Sequence, residues 1–140
     1  MTPRVGVLAL QGGVREHADL LAGLGASVVA VRRASDLAGL DALGLPGGES
    51  STIDRLLRTF DLVEPLRDAV ASGLPTLGTC AGLVLLARRV LDPAPGQQSL
   101  GLLDVDVRRN AFGGQLESAE VTLSTTLGPA HVHVEEPERL

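Results

Sequence analysis

Over residues 4 to 90, short apolar runs alternate with segments of helical period. That alternation restricts the fold more than any other feature of the chain. Residues 4–10 are nearly unbroken hydrocarbon and end in Gln11-Gly12-Gly13. Continuous hydrophobicity suits a central parallel strand covered on both faces. From Val14 the period changes. Val14, Ala18, Leu21 and Leu24 recur at helical spacing, with Arg15, Glu16 and Asp19 between them and Gly25 closing the segment. A valine-rich run at 26–31 reads as a second strand, Ser35-Asp36 as the cap of a short helical turn, and 41–45 as a third strand. Pro46-Gly47-Gly48-Glu49 then leads into a helix through Ile53, Leu56 and Leu57, with Ser50 or Ser51 as the natural N-cap. Residues 62–71 read as another helix. Strand and helix in this order predict a parallel-sheet α/β core with helices on both faces.

The next stretch, residues 74–87, reads as a short buried strand, a sharp turn and a helix. The turn is Gly78-Thr79-Cys80-Ala81-Gly82. This is the nucleophile-elbow pattern, with cysteine in place of serine. A strand that turns straight into a helix forces strained φ/ψ on the central residue and crowds its neighbours. Positions two before and two after must therefore lack side chains. The thiol then stands at a helix N-terminus, where the dipole favours thiolate. A solitary cysteine in an apolar run ordinarily packs as a small core residue. The two glycines and the strand-to-helix switch argue instead for a nucleophile.

In parallel α/β sheets, ligands bind at the carboxyl ends of strands. Three glycine-bearing turns fall there: Gln11-Gly12-Gly13, Gly47-Gly48-Glu49 and Gly78 to Gly82. The paired glycines at 47 and 48 suit either a tight turn or close approach of backbone amides to a ligand. Beyond the elbow, 92–98 is a Pro/Gly loop, 102–107 a strand, 108–115 a polar connection, and 117–123 and 130–135 alternating strands. No repeat and no linker divides the chain, so residues 1–140 read as a single domain.

Composition excludes several classes of function. The net charge is −5 and Phe60 and Phe112 are the only aromatics. A nucleic-acid binder would want a basic face and stacking rings. One cysteine rules out an intrachain disulfide framework and a cysteine-rich zinc site. The apolar run at 5–10 is too short for a signal peptide, and no run approaches the ~18 residues needed to span a bilayer. The expectation is a soluble, cytoplasmic protein without metal or cofactor, away from membrane and nucleic acid.

Five pieces of the chain together carry a family likeness. They are Val7-Leu8-Ala9-Leu10-Gln11-Gly12, Val14-Arg15-Glu16-His17, Leu45-Pro46-Gly47-Gly48-Glu49-Ser50, Gly78-Thr79-Cys80-Ala81-Gly82-Leu83 and Arg109-Asn110-Ala111-Phe112-Gly113. They resemble the glutaminase subunits of pyridoxal 5′-phosphate synthase, which are class I (triad) glutamine amidotransferases. The likeness covers roughly residues 4 to 123. It implies a flavodoxin-like three-layer sandwich and an enzyme that hydrolyses L-glutamine to glutamate and ammonia. Cys80 would attack the carboxamide and form a thioester. The amides of Gly48 and Ala81 would form the oxyanion hole, where losing one donor typically costs about 3–4 kcal/mol of barrier. Gly47, Gly48, Glu49 and Arg109 would bind substrate. Ammonia would pass to a ring-forming synthase subunit in a hetero-oligomer.

The chain departs from that family at its end. The family's His-Pro-Glu segment, which supplies base and orienting acid, would lie past Leu140, as would its Ile-Arg-Ala-Pro stretch. Gly114 stands where the family usually carries arginine. The expectation is a domain incomplete at its C-terminal end, with apolar sheet left uncovered and a tendency to self-associate. His133-Val134-Glu135 keeps a His-x-Glu spacing. It reads as a substitute base and acid, as an ordinary half-buried strand, or as the family's middle strand. Glu49 as a helix first-turn charge, and Arg109 as a solvated cation, also stay open. His17 reads as surface or partner-facing. The alternative to an active glutaminase is a catalytically silent family member that only docks on the synthase.

Overall fold

The computed structural model describes residues 2–109, 118–126 and 128–135. The chain divides into two compact units, Met1–Val107 and Arg108–Leu140.

The first unit is built on four parallel strands. They are β1 (Arg4–Leu8), β2 (Ser27–Val31), β3 (Ala42–Leu45) and β4 (Thr76–Gly78), in the order β2-β1-β3-β4. Helix α1 (Val14–Gly23) connects β1 to β2, and a 3-10 turn (Ala34–Leu37) leads to β3. Helices α2 (Ser50–Thr59) and α3 (Val63–Ala71) lie between β3 and β4. From β1 the chain steps outward to β2, then returns past β1 to β3 and β4. Because crossovers are right-handed, that reversal sends α1 to one face and the later connections to the other. The 3-10 turn and α3 touch each other, while α1 packs on β1 and β2. This is the parallel, three-layer α/β sandwich that the strand–helix alternation predicts.

Most predicted elements fall within a residue or two of their expected bounds. The central position of β1 explains its unbroken hydrophobicity. Val7 and Leu8 are buried, and Leu43 and Leu45 of β3 lie in the same core. Ile53 and Leu57 of α2 and Leu66 of α3 cover that sheet face. Each such aliphatic side chain contributes about 1.5–3 kcal/mol on full burial. By contrast, α1 buries no residue fully, and its Leu20 and Leu24 stay exposed. Among the described residues β4 is the edge of this sheet, and its Leu77 is 68% exposed.

Two expectations fail. The elbow strand is not buried: β4 is half-buried at Thr76 and Gly78 and open at Leu77 because nothing described pairs or packs on its far side. Helix α4 (Ala81–Leu86) closes at Leu86, and strand β5 (Ala87–Leu91) follows directly. The amides of Leu100, Gly101 and Leu102 take the carbonyls of Leu85, Ala87 and Leu86 at 2.7, 3.1 and 3.0 Å. Those carbonyls are thereby given acceptor roles outside a helix. β5 pairs with β6 (Leu103–Arg108), and exposed ion pairs link the two, Arg88–Asp104 at 2.8 Å and Arg89–Asp106 at 2.5 Å. The second failure is the cap of α2, which is Glu49 and not Ser50 or Ser51.

The loop at 92–98 is pinned from beneath. Gln97 is buried; its Nε2 donates to Ser50 Oγ at 2.8 Å and its Oε1 accepts from the Ala94 amide at 3.0 Å. Buried Asp54 accepts from the Gln98 amide at 3.1 Å and from Arg58, whose guanidinium also reaches Gly96 O at 2.7 Å. These bonds anchor the loop to α2.

The second unit is an antiparallel pair, β7 (Ser118–Thr125) and β8 (Gly128–Glu135). The register sets His133 opposite Glu120 and Glu135 opposite Ser118.

Candidate active site

The three turns that leave β1, β3 and β4 at their carboxyl ends are locked together by backbone. The Gly13 amide donates to Gly47 O at 2.9 Å, and the Thr79 amide donates to Leu45 O at 3.2 Å. Gly12 has φ +95°, and a Cβ there would lie 2.0 Å from Gly47 O. No side chain fits that gap. The elbow glycines answer to the same constraint. A Cβ on Gly78 would sit 2.6 Å from Gly82 O, and one on Gly82 only 2.0 Å from Leu45 O. The crowding expected two residues before and after Cys80 is therefore present at both places.

Cys80 itself has φ 51° and ψ −113°, a backbone state that ordinary residues avoid. Such strain persists only where the surroundings over-determine it. Here Thr79 is tied to Leu45 on one side, and the Leu83 and Val84 amides donate to Cys80 O at 3.0 and 3.2 Å on the other. The thiol is free and exposed, not walled into the core. Gly47 lies directly against it: a Cβ on Gly47 would be 3.3 Å from Cys80 Cβ and 3.9 Å from Sγ. Ala81 opens α4 and is buried. With six residues, α4 is a short source of dipole, so geometry more than helix charge sets the thiol's environment.

The Gly47–Gly48 peptide is held by the Gly13 bond to its carbonyl. In a trans peptide the N–H of Gly48 points opposite to that carbonyl, away from Gly13. Gly48 is packed closely against the first turn, since a Cβ on it would meet Gln11 Oε1 at 2.5 Å. Glu49 follows as N-cap of α2. Its carboxylate accepts from the Thr52 amide at 3.0 Å, the Ser51 amide at 3.3 Å, Thr52 Oγ1 at 3.1 Å and the Ser51 hydroxyl. The Ser51 hydroxyl, followed by these other donors, outweighs desolvation and draws the Glu49 carboxyl down to about 2. Glu49 is thus an anion at any neutral pH, and the helix-cap role is observed directly.

The side chains of Gln11 and His17 also belong to this cluster. Gln11 Oε1 accepts from the Glu49 amide at 3.0 Å. The His17 ring bridges Gly13 O, 3.0 Å from Nδ1, and Thr79 Oγ1, 3.3 Å from Nε2. The ring is half-buried, seated between two of the three turns rather than free on the helix surface. The available signal was the spacing of Gly13 and His17, one helical turn apart at the start of α1.

The remaining expected residues lie in the second unit or outside the described residues. Arg109 follows β6 at the start of the second unit, and His133 and Glu135 are in β8. Gly114 and the Asn110-Ala111-Phe112-Gly113 segment lie outside the described residues. Among the described residues, no group of three or more His, Cys, Asp or Glu side chains converges on a metal position, and no helix is long and apolar enough to cross a membrane.

Comparison with known proteins is decisive about ancestry. Residues 7–128 match the family model described as the SNO glutamine amidotransferase family. The chain belongs to that family. It is 59% identical over 124 residues to the pyridoxal 5′-phosphate synthase subunit PdxT of Acidothermus cellulolyticus, covering 89% of this chain and 60% of that protein. It is 62% identical over 123 residues to the protein of the same name from Cutibacterium acnes, covering 88% of this chain and 61% of that one. A crystal structure of a glutamine amidotransferase superposes with a TM-score of 0.84 at 46% identity, covering 92% of this chain and 69% of that chain. The SNO-family chain thus spans about 60% of the length of the curated relatives it matches.

Proposed function

We propose that this chain carries the nucleophile and oxyanion-binding part of a glutaminase that supplies ammonia for pyridoxal 5′-phosphate synthesis. The observation that carries the reading is the exposed Cys80 thiol on a strained elbow, with Gly47 packed against it. Two relatives bearing the synthase-subunit name, each about 60% identical, support it.

In this reading Cys80 Sγ, as thiolate, attacks the side-chain carboxamide carbon of glutamine. Negative charge gathers on the carbonyl oxygen, where the amides of Gly48 and Ala81 stabilise it. The C–N bond breaks as the leaving nitrogen takes a proton, giving ammonia and a thioester. Water then cleaves the thioester to glutamate and restores the thiol. Gly47 and Gly48 shape the pocket floor, Glu49 takes the substrate's amino group, and Arg109 takes a carboxylate. The base and its orienting acid belong to the family's His-Pro-Glu segment, with His133 and Glu135 the pair in this chain that keeps the spacing. Ammonia is handed to the ring-forming synthase subunit, in the cytoplasm, by the 1–140 region acting as one amidotransferase domain.

The test is glutamate release from glutamine after mixing with the synthase subunit. Hydrolysis that Cys80→Ala abolishes supports the proposal. Complex formation without hydrolysis, unchanged by Cys80→Ala, would make the chain a binding subunit only.

A further inference from the structure

We infer that His17 is a positioning residue for the Cys80 elbow, acting through the hydroxyl of Thr79. A carbonyl oxygen only accepts, so the 3.0 Å contact of His17 Nδ1 with Gly13 O requires the proton on Nδ1. In the neutral ring Nε2 is then an acceptor, and Thr79 Oγ1, 3.3 Å away, is the donor that meets it. The tautomer is fixed by one turn and read by another. Gly13 O also accepts the backbone amide of His17 at 3.2 Å, so the main chain that carries the ring is anchored at the start of α1.

What this bridge holds is the residue preceding the nucleophile. Thr79 is otherwise exposed, and only its backbone is tied to the sheet, through Leu45 O. The next residue carries φ 51°, a strained state for a non-glycine residue that relaxes unless its neighbours are fixed. The imidazole supplies that fixing from the side-chain direction. It also sets the elbow's position relative to Gly13, and Gly13 in turn holds Gly47, the residue packed on the thiol. One ring therefore registers the nucleophile against the wall of its own pocket. The inference rests on the proposed reading only in taking Cys80 as the nucleophile.

Cys80 is the only cysteine among the 140 residues, so its alkylation rate by iodoacetamide reports the elbow without interference. Thr79→Val removes the hydroxyl at constant shape, and His17→Ala removes the ring. Each is expected to slow alkylation by about 3–10-fold, the size of one neutral hydrogen bond, and the double variant no further than either alone. His17→Gln, whose amide oxygen reaches the place of Nε2, should restore most of the rate. His17→Asn, which replaces Nδ1 alone, should not. Rates within twofold of the parent in both single variants, additive losses, or equal rescue by Asn and Gln would each overturn the inference. If His17→Ala fails to fold, Thr79→Val and the Gln/Asn pair carry the same comparison. Alkylation requires no glutamine, so a chain that obeys these expectations yet never hydrolyses glutamine would sink the functional proposal alone.

Discussion

The side-chain oxygen of Gln11 accepts a hydrogen bond from the amide of Glu49 at 3.0 Å, joining turns thirty-eight residues apart. The bond ties the turn after β1 to the first residue of the cap of α2. Gln11→Leu keeps the bulk and removes the acceptor. The expected loss of stability is about 1 kcal/mol, read from urea unfolding. Activity should fall further, because Gly48 lies between the two partners and its amide would lose its setting. Unchanged kcat/KM for glutamine in a Gln11→Leu enzyme would count against an oxyanion role for Gly48.

Acid should destabilise the start of α2 in a defined window. The Glu49 carboxyl is lowered from 4.5 to about 2 by the Ser51 hydroxyl and the donors around it. A depressed native value means that the unfolded chain takes up the proton first as pH falls. The contribution of Glu49 is therefore complete above about 4.5 and fades as the pH drops toward about 2. Glu49 is exposed and screened by solvent, so its size is that of a helix cap, about 1 kcal/mol, and not the full linkage value. Thermal melts of the parent and Glu49→Gln between pH 2 and pH 7 should differ at neutral pH and converge in acid.

Gln97 holds the 92–98 loop through two bonds made inside the fold. Gln97→Ala strands the Ala94 amide and takes the donor from buried Ser50. The expected cost is about 1–3 kcal/mol, with proteolytic cutting of the loop rising in step. Ser50→Ala should cost less, since it leaves the Ala94 bond in place. Equal losses in the two variants would show that the Ala94 bond adds nothing.

Leu77 lies on the last strand of the parallel sheet with 68% of its surface exposed. Together with Leu20 and Leu24 it gives the first unit apolar surface that water penalises by roughly 25 cal/mol per Å². The chain alone is expected to associate as its concentration rises, and Leu77→Thr to shift that association to higher concentration in sedimentation velocity. A parent that stays monomeric across the range would refute this.

Much of the frame could be read in the sequence because its signals are local. The apolar run at 4–10, the helical spacing after Val14 and the glycines around Cys80 each report on a few consecutive residues. The limits of that reading are equally physical. Residues 87–91 carry two arginines between apolar neighbours and no clear period, and they form a strand by pairing with β6, which begins sixteen positions after Ala87. Ser50 and Ser51 have the usual chemistry of a cap, but Ser50 is buried against Gln97, and Glu49 takes the position instead. His17 looked like one polar residue among others on α1. Its partner Thr79 is sixty-two positions away, which no periodicity reveals.

The interlocked turns also bear on how such a pocket can change over time. Two carbonyls, those of Gly47 and Leu45, occupy the volume that a methyl on Gly12 or Gly82 would need. Loops meshed this tightly cannot drift independently: an insertion in one would have to be answered in another at the same moment. Diversification of this lineage should therefore be confined to segments remote from the mesh, such as the turn between α1 and β2 at the opposite end of the strands, while the meshed turns themselves behave as a single inherited part.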